Sequence, residues 1–384
     1  MKYFVLLIML LFTTSIYPLK DAIGRYILND VNTTVQLKSR TQYGENEALH
    51  WNQYSSILTS IEFPKINTYL NFRPHIEFGH FSNHANTSAE SVTRLNQMYV
   101  DLLFNIGTIS VGEKRLSMEN GRFLSDSSFN LLPRTFNQIG FSSQDNQLQL
   151  IYITSMTLPD TTEKQYFNEG SYIIGLTNAQ ISPSSRFNFH AYLFENIANT
   201  YSFNFLQNVA GNHEFSSTIA IQTNPSITDQ PIKEYKRLFY DAIYTHQAKS
   251  QVLRLGTRFF EGEHNGISGF RAPYSSGHSW DGFLNVFQSN IQQGFLEDYR
   301  SIFGSFSTQI NQTQYVKVDG YLFRNSALSK NLGSEVNVSI QDELIKDTIY
   351  WMYKVGQFIP GTHYQQPSEL KMWLDFSVNL GESL

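Results

Sequence analysis

In GRFLSDSSFNLLPRTFN, residues 121–137, Arg122 and Arg134 stand among aromatics and small polar residues, in a stretch with neither strand nor helix periodicity. Guanidinium groups in such a segment suit one of two tasks. They satisfy loop carbonyls and acids such as Glu119 or Asp126, or they present fixed positive charge to an anion. Covalent chemistry has few means in this chain. Cysteine is absent, which removes thiolate nucleophiles, disulfides and Cys-ligated zinc together. Neither G-x-S-x-G nor H-E-x-x-H occurs. His278, Ser279 and Asp281 are the nearest approach to a nucleophile set, but neighbours in a loop need not converge. The ten histidines are scattered, and HFSNH at 80–84 reads as loop rather than as a metal site. An enzyme, a cofactor and a bound metal are therefore not expected.

The surrounding elements must explain an unusual composition. Aromatics make up 15% of the 384 residues, with 30 Phe and 22 Tyr, while charged residues reach only 16%, against a usual share of roughly 25%. The net charge of −5 and the lack of a basic stripe exclude nucleic acid as a partner. The opening MKYFVLLIMLLFTTSIYPLKDA has a positive Lys2, an apolar run from Tyr3 to Phe12 and a small polar stretch from Thr13 to Ser15. This is the pattern of a secretory signal, expected over residues 1–22 with no cleavage bond assigned. The run falls short of the ~20 apolar residues of a membrane-spanning helix, and no later run approaches that length. Residues 23–384 are expected to form a single domain.

The rest of the chain alternates with period two. LKMWLDFSVNL puts Leu370, Met372, Leu374, Phe376, Val378 and Leu380 on one face and Lys371, Trp373, Asp375, Ser377 and Asn379 on the other. RFNFHAYLFE sets Phe187, Phe189, Ala191 and Leu193 against Asn188, His190 and Tyr192. YVKVDGYLF sets Val316, Val318 and Leu322 against Lys317, Asp319 and Tyr321, and EVNVSIQ repeats the pattern with Val336, Val338 and Ile340. One face apolar and the other polar or amide-bearing is the signature of strands between lipid and water. A soluble sandwich also alternates, but its outer faces carry many Lys and Glu; here they lean on Asn, Gln, Ser and Tyr. About 18 such segments are expected, which makes the fold class an all-β transmembrane antiparallel barrel with inserted and extracellular loops, wide enough for an aqueous lumen. The breaks are uneven: FNIGTIS (104–110) and SSQDNQ (142–147) read as tight turns. Residues 157–170, 223–236 and 261–283 read as long loops.

Motifs in order along the chain resemble the alginate export family of outer-membrane porins. VGEKRLSMENGRFLSDSSFNLLPRTFNQIGF is similar to that family's signature region, with Gly112, Arg122, Phe123, Thr135 and Phe136 at matching positions. LNQMYVDL (95–102) falls where the family has a strand before this motif. GHSWDGFLNVF is similar to a later element, with His278, Gly282 and Phe287 matching, and NLGSEVNVSI keeps Gly333 and Glu335 while Asn337 replaces an acid. The resemblance implies a monomeric 18-stranded barrel that exports anionic polysaccharide or passes small anionic or polar solutes, with periplasmic export components as partners. The departures remove positive charge: Glu113 and Lys114 follow Gly112, Phe129-Asn130-Leu131 stand in the next motif, and Asn137 replaces an acid.

Strand phase from Ile109 and Val111 would turn Glu113 and Arg115 toward lipid, so the strand is expected to end or bulge by Gly112, with residues 116–134 folding inward to narrow the pore. The expected pore-lining and selectivity residues are Lys114, Arg115, Arg122, Arg134, Asn137, His278, Lys317, Asp319, Lys371 and Asp375. The chain's partners would be outer-membrane lipid and a permeant solute or polysaccharide. The competing reading is an adhesin or receptor that displays its loops on an occluded barrel. The chain ends VNLGESL, without a terminal aromatic to fix the last strand.

Overall fold

A computed structural model describes residues 32–383 apart from 45–49, 64–65, 68–70, 84–89, 146, 210, 226–235, 277–281, 326–327 and 365–366. The expected leader, His278 with Ser279 and Asp281, His84, and most of the 223–236 loop lie outside the described residues.

The alternating segments pair in chain order. The strands are β1 (Asn32–Gly44), β2 (His50–Glu62), a two-residue β3 (Ile66–Asn67), β4 (Asn71–Asn83), β5 (Glu90–Phe104), β6 (Gly107–Lys114), β7 (Thr135–Ser143), β8 (Leu148–Thr157), β9 (Lys164–Ser182) and β10 (Ser185–Phe194). They continue as β11 (Ala198–Val209), β12 (His213–Thr223), β13 (Lys236–Ala248), β14 (Gln251–Phe260), β15 (Tyr299–Gln309), β16 (Gln314–Asn325), β17 (Asn331–Ile345), β18 (Ile349–Pro360) and β19 (Glu369–Ser383). Each pairs antiparallel with the next, β2 pairs directly with β4, and β19 pairs with β1, so the sheet closes. With β3 a short extension against β4, the result is a closed barrel of 18 strands. Closure leaves no unpaired strand edge, which is what a sheet in hydrocarbon requires. The last strand holds an unbroken register from Asn32↔Ser383 to Gly44↔Lys371 despite its non-aromatic end. The Arg40–Asp375 ion pair spans this seam at 2.6 Å.

The two faces of each strand separate as their alternation requires. Val336 is 55% exposed while the adjacent Glu335 is fully buried. Val318, Leu322, Leu374, Phe376, Ile302, Phe306, Leu255, Ile219 and Phe203 are likewise exposed and form an apolar belt around the outside. Turns sort by end. Asn105–Ile106, 144–145, 183–184, 249–250, 310–313 and 346–348 close one end, and side chains fix several of them. Asp145 accepts the Ser143 hydroxyl (2.5 Å) and the Gln147 N–H (3.1 Å), and Asn311 Oδ1 accepts the N–H groups of Thr313 (2.9 Å) and Gln314 (2.8 Å). The long segments gather at the other end.

Two expectations about segments are corrected. Residues 157–170 are mostly strand, because β9 begins at Lys164. A kink at Gly170, φ 79°, is held by Glu195 Oε2, which accepts the N–H groups of Glu169 (2.8 Å) and Gly170 (3.1 Å). Polar residues there extend a strand beyond the apolar belt rather than ending it. Strand β6 likewise does not stop or bulge by Gly112. Gly112 takes φ 124°, and pairing continues through Glu113↔Asn137 and Lys114↔Phe136. Glu113 is tolerated because it lies at the rim, accepting the Thr135 (2.7 Å) and Thr157 (2.5 Å) hydroxyls beside Lys164 Nζ at 3.0 Å.

Candidate functional site

Two inserted segments enter the lumen from the long-loop end. The first, residues 115–134, carries a 3-10 turn at Glu119–Gly121, and the second, described over residues 261–276 and 282–298, carries a short helix, α1 (Gln288–Gln293). They hold each other through main chain. The Ser125 N–H donates to Tyr274 O (2.8 Å), the Ser276 N–H donates to Gly121 O (2.8 Å), and Leu124 bridges Tyr274. Their apolar side chains pack against the inward faces of β10 to β18. Phe123 meets Tyr192, Phe239 and Phe270 with ring centroids 5.4–5.9 Å apart, and Phe287 meets Tyr299, Phe323 and Phe358. A second apolar cluster, Leu131 and Leu132 with Leu58 and Phe81, ties the first insert to β2 and β4. The first insert therefore crosses the lumen from one wall to the other, and the aromatic surplus of the sequence is spent inside the barrel as well as around it.

Charges fix the inserts where the apolar contacts leave off. Arg122 lies 2.8 Å from Asp241 Oδ2 and donates from Nη1 to Thr218 Oγ1 at 2.6 Å; Arg258 Nε is 3.9 Å from the same Asp241 oxygen. Arg122, Asp241 and Arg258 are all nearly fully buried. Arg134 donates to Ser125 O (3.2 Å) and Tyr274 O (2.9 Å), and its burial brings its pKa down to about 10. Glu119 accepts the hydroxyls of Ser202 (2.8 Å) and Tyr192 (3.1 Å) and lies 3.5 Å from His190 Nδ1. Burial alone would raise its carboxyl, but His190, Arg122 and the Ser202 hydroxyl together hold it below the usual carboxylate range. Arg94, which the sequence did not single out, anchors the base of the insert by donating to Leu158 O (2.6 Å), Thr161 O (2.5 Å) and Pro133 O (2.5 Å).

Along β16 to β19 and β1 the inward faces carry a further group of charged residues. Register aligns Lys317, Ser339, Lys354 and Trp373 in one inward row, with Gln341, Met352, Asp375 and Arg40 in the next. Arg40 lies flat against Phe129 (4.7 Å) and Trp373 (4.2 Å) while its Nε meets Asp375. Lys354 stands 4.4 Å over the Phe283 ring. Beside them a cavity of about 310 Å³ is bordered by Lys38, Arg40, Ser128, Phe129, Gln341 and Asp375.

The sequence-derived residues divide accordingly. Lys317 pairs with Asp319 (2.8 Å) and Lys371 with Glu369 (3.2 Å), on the inward faces of β16 and β19. Lys114 pairs with Asp101 (3.3 Å) and Arg115 with Glu77 (2.5 Å) further along the same wall, on β4 to β6 and the start of the first insert. Arg122 and Arg134 hold the insert. Asn137 is corrected: it is exposed on the outer face of β7 in phase with Ile139, because continuous β6–β7 pairing carries the strand's alternation unbroken to the rim. Asp241, Arg258, Lys38, Arg40 and Lys354 were missed as individual residues. Their signal was only a charge on the polar face of an alternating strand.

The barrel has solved counterparts. Pseudomonas aeruginosa OpdK, in a crystal structure with vanillate, superposes with a TM-score of 0.73 at 11% identity, over 93% of this chain and 100% of that one. OccK9 (OpdG) and OpdQ from the same organism give TM-scores of 0.72 and 0.70 at 12% and 11% identity, each over 92% of this chain and 99% of theirs. The fold is that of an outer-membrane porin. No protein-family model matches the sequence, and no curated protein matches it.

The resemblance to the alginate export family is therefore not supported. Two of the residues that carried it, Gly282 and Glu335, have a local role in the contact between the second insert and the wall. Gly282 takes φ 95° where a Cβ would stand 2.5 Å from Glu335 Oε1, and the same oxygen accepts the Leu284 N–H (3.1 Å) and Asn337 Nδ2 (2.7 Å). The two later motifs thus meet at one docking point between the second insert and the wall.

Proposed function

We propose that the chain, delivered by its N-terminal leader, is an outer-membrane channel that passes small polar solutes and favours anions. The observation that carries this reading is the approach of the first insert to the β18, β19 and β1 wall, with Lys38 and Arg40 beside a cavity of small-molecule size. Fixed positive charge in a narrow, low-dielectric passage concentrates anions there. Arg40 keeps Asp375 as a partner, whereas Lys38 has no ion pair among the described residues, so Lys38 supplies the less compensated charge. Two inserts bridging a lumen suit a small solute better than a uronate polymer, and the co-crystallised ligand of OpdK, vanillate, is a small molecule. No covalent chemistry or cofactor is required.

The test is single-channel recording in planar bilayers under a salt gradient. A reversal potential favouring anions, moved toward zero by Lys38→Gln with Arg40→Gln, supports the reading. Unchanged selectivity removes it, and absence of channels from a folded, heat-modifiable barrel turns the assignment to loop display.

A further inference from the structure

The first insert is fastened at two walls of the barrel by different chemistry. On the β10 to β13 side, Arg122 and Glu119 hold it through an ion pair and hydroxyl donors. At its other end Leu131 and Leu132 are buried against Leu58 and Phe81, and the turn at 158–163 between β8 and β9 clasps the main chain beside them. Asp160 Oδ1 accepts the Leu132 N–H at 2.6 Å, and the Asp160 N–H donates to Leu132 O at 3.0 Å. The turn itself is fixed. The Leu158 N–H donates to Glu163 O (2.9 Å), Asp160 takes φ 55°, and Arg94 binds the carbonyls of Leu158, Thr161 and Pro133. Ser128, Phe129 and Leu131, just upstream of the clasped Leu132, border the cavity beside Lys38 and Arg40.

We propose that Asp160 is the positioning residue for the first insert, a proton-sensitive clasp that sets how far the insert reaches across the lumen. The other contacts at this end do not titrate. Arg94 stays charged and binds carbonyl oxygens, and the leucines are apolar. Asp160 has no ion-pair partner among the described residues, and the charged or titratable groups around it are Arg40 on β1, Tyr54 on β2 and Arg94 on β5. Burial raises its carboxyl above the ordinary 3.8, against the Leu132 N–H, Arg40 and Arg94, which pull it down. Either form of the carboxyl accepts the Leu132 N–H, so protonation keeps the clasp and removes the cost of burying a charge. The docked turn therefore binds a proton more readily than an undocked one. Docking is strongest below the ordinary 3.8 and weakens as pH rises through the raised value. Glu119 responds in the opposite sense, so carboxyls of opposite pH dependence hold the two ends of the insert. The assignment rests on the insert crossing the lumen and not on any solute preference.

The chain has no cysteine, so a nitroxide on Ser128→Cys, an exposed position of the insert, reports its mobility by electron paramagnetic resonance of the full chain in vesicles. From about pH 7.5 to about pH 4.5, above the range in which Glu119 is lost, the mobile fraction of the label is expected to fall as Asp160 takes up a proton. Asp160→Asn, neutral and still an acceptor, is expected to hold the label immobile throughout, with no pH response. Asp160→Gly tolerates the positive φ and lacks the acceptor, and its mobile fraction is expected about tenfold above that of Asp160→Asn. A wild type without pH response, an Asn variant that follows the wild-type course, or a Gly variant as immobile as Asn overturns the clasp. If the Gly variant does not fold, the comparison of wild type with Asn decides. Single-channel conductance of Asp160→Gly is expected to exceed wild type, and a mobile label with unchanged conductance overturns the positioning role. The label reports without ion flow, which separates failure of the clasp from failure of the channel reading.

Discussion

Asp241 is the single anion shared by Arg122 and Arg258, and all three are removed from water. Asp241→Asn removes the buried carboxylate that both guanidinium groups face, a loss expected at about 3–5 kcal/mol, read as a lower urea midpoint for unfolding from lipid vesicles. Replacing Arg122 by Met in the same chain should recover part of that loss, because one buried positive charge is gone. Glu119 gives a pH dependence of known sign. Its folded carboxyl titrates below the ordinary 4.5, so its stabilisation of the insert is fully present above about pH 4.5 and is lost as pH falls through the depressed value. Open-channel current fluctuations should rise on acidification below that point. Glu119→Gln should be noisier at neutral pH and should lose the acid response.

At the scale of elements, the two inserts act as one unit. Shortening the first insert by replacing 119–131 with a flexible linker should raise single-channel conductance, since it removes the segment that crosses the lumen. The second insert is held against the wall where Gly282 meets Glu335. Gly282→Ala is strained by its φ of 95° and by contact with the carboxylate, at a cost of about 1–3 kcal/mol. The expected outcome is an unstable conductance level rather than an unfolded barrel, because the ladder itself is untouched. Proteolysis of the folded protein in vesicles, read by cleavage within 261–298, checks the same undocking independently.

For the whole molecule, closure of the sheet through β19 and β1 makes the barrel the stable frame and the inserts its adjustable contents. Wild-type protein should run as a heat-modifiable band, show discrete conductance steps and reverse toward the anion side. Uronate oligomers added to one side should neither block nor cross if the open path is the small cavity beside Lys38 and Arg40. Block by oligomers that disappears in Lys38→Gln/Arg40→Gln would show that longer anions enter the same path.

The period-two alternation of segments such as 369–380 and 333–341 determined the fold by itself, because a strand between lipid and water must place apolar and polar residues on opposite faces. The count of 18 followed from the same pattern. Alternation also assigned Lys317, Asp319, Lys371 and Asp375 to the polar face. It could not show that Arg40 would close the seam onto Asp375, since those residues are 335 apart in sequence and meet only when the sheet closes. Nor could it show that Arg122 would find Asp241 across the lumen. GRFLSDSSFNLLPRTFN was legible as an inward segment because it lacks strand phase. What its arginines touch was decided by tertiary structure, because an irregular segment has no register and takes its position from the aromatic and charged groups of distant strands.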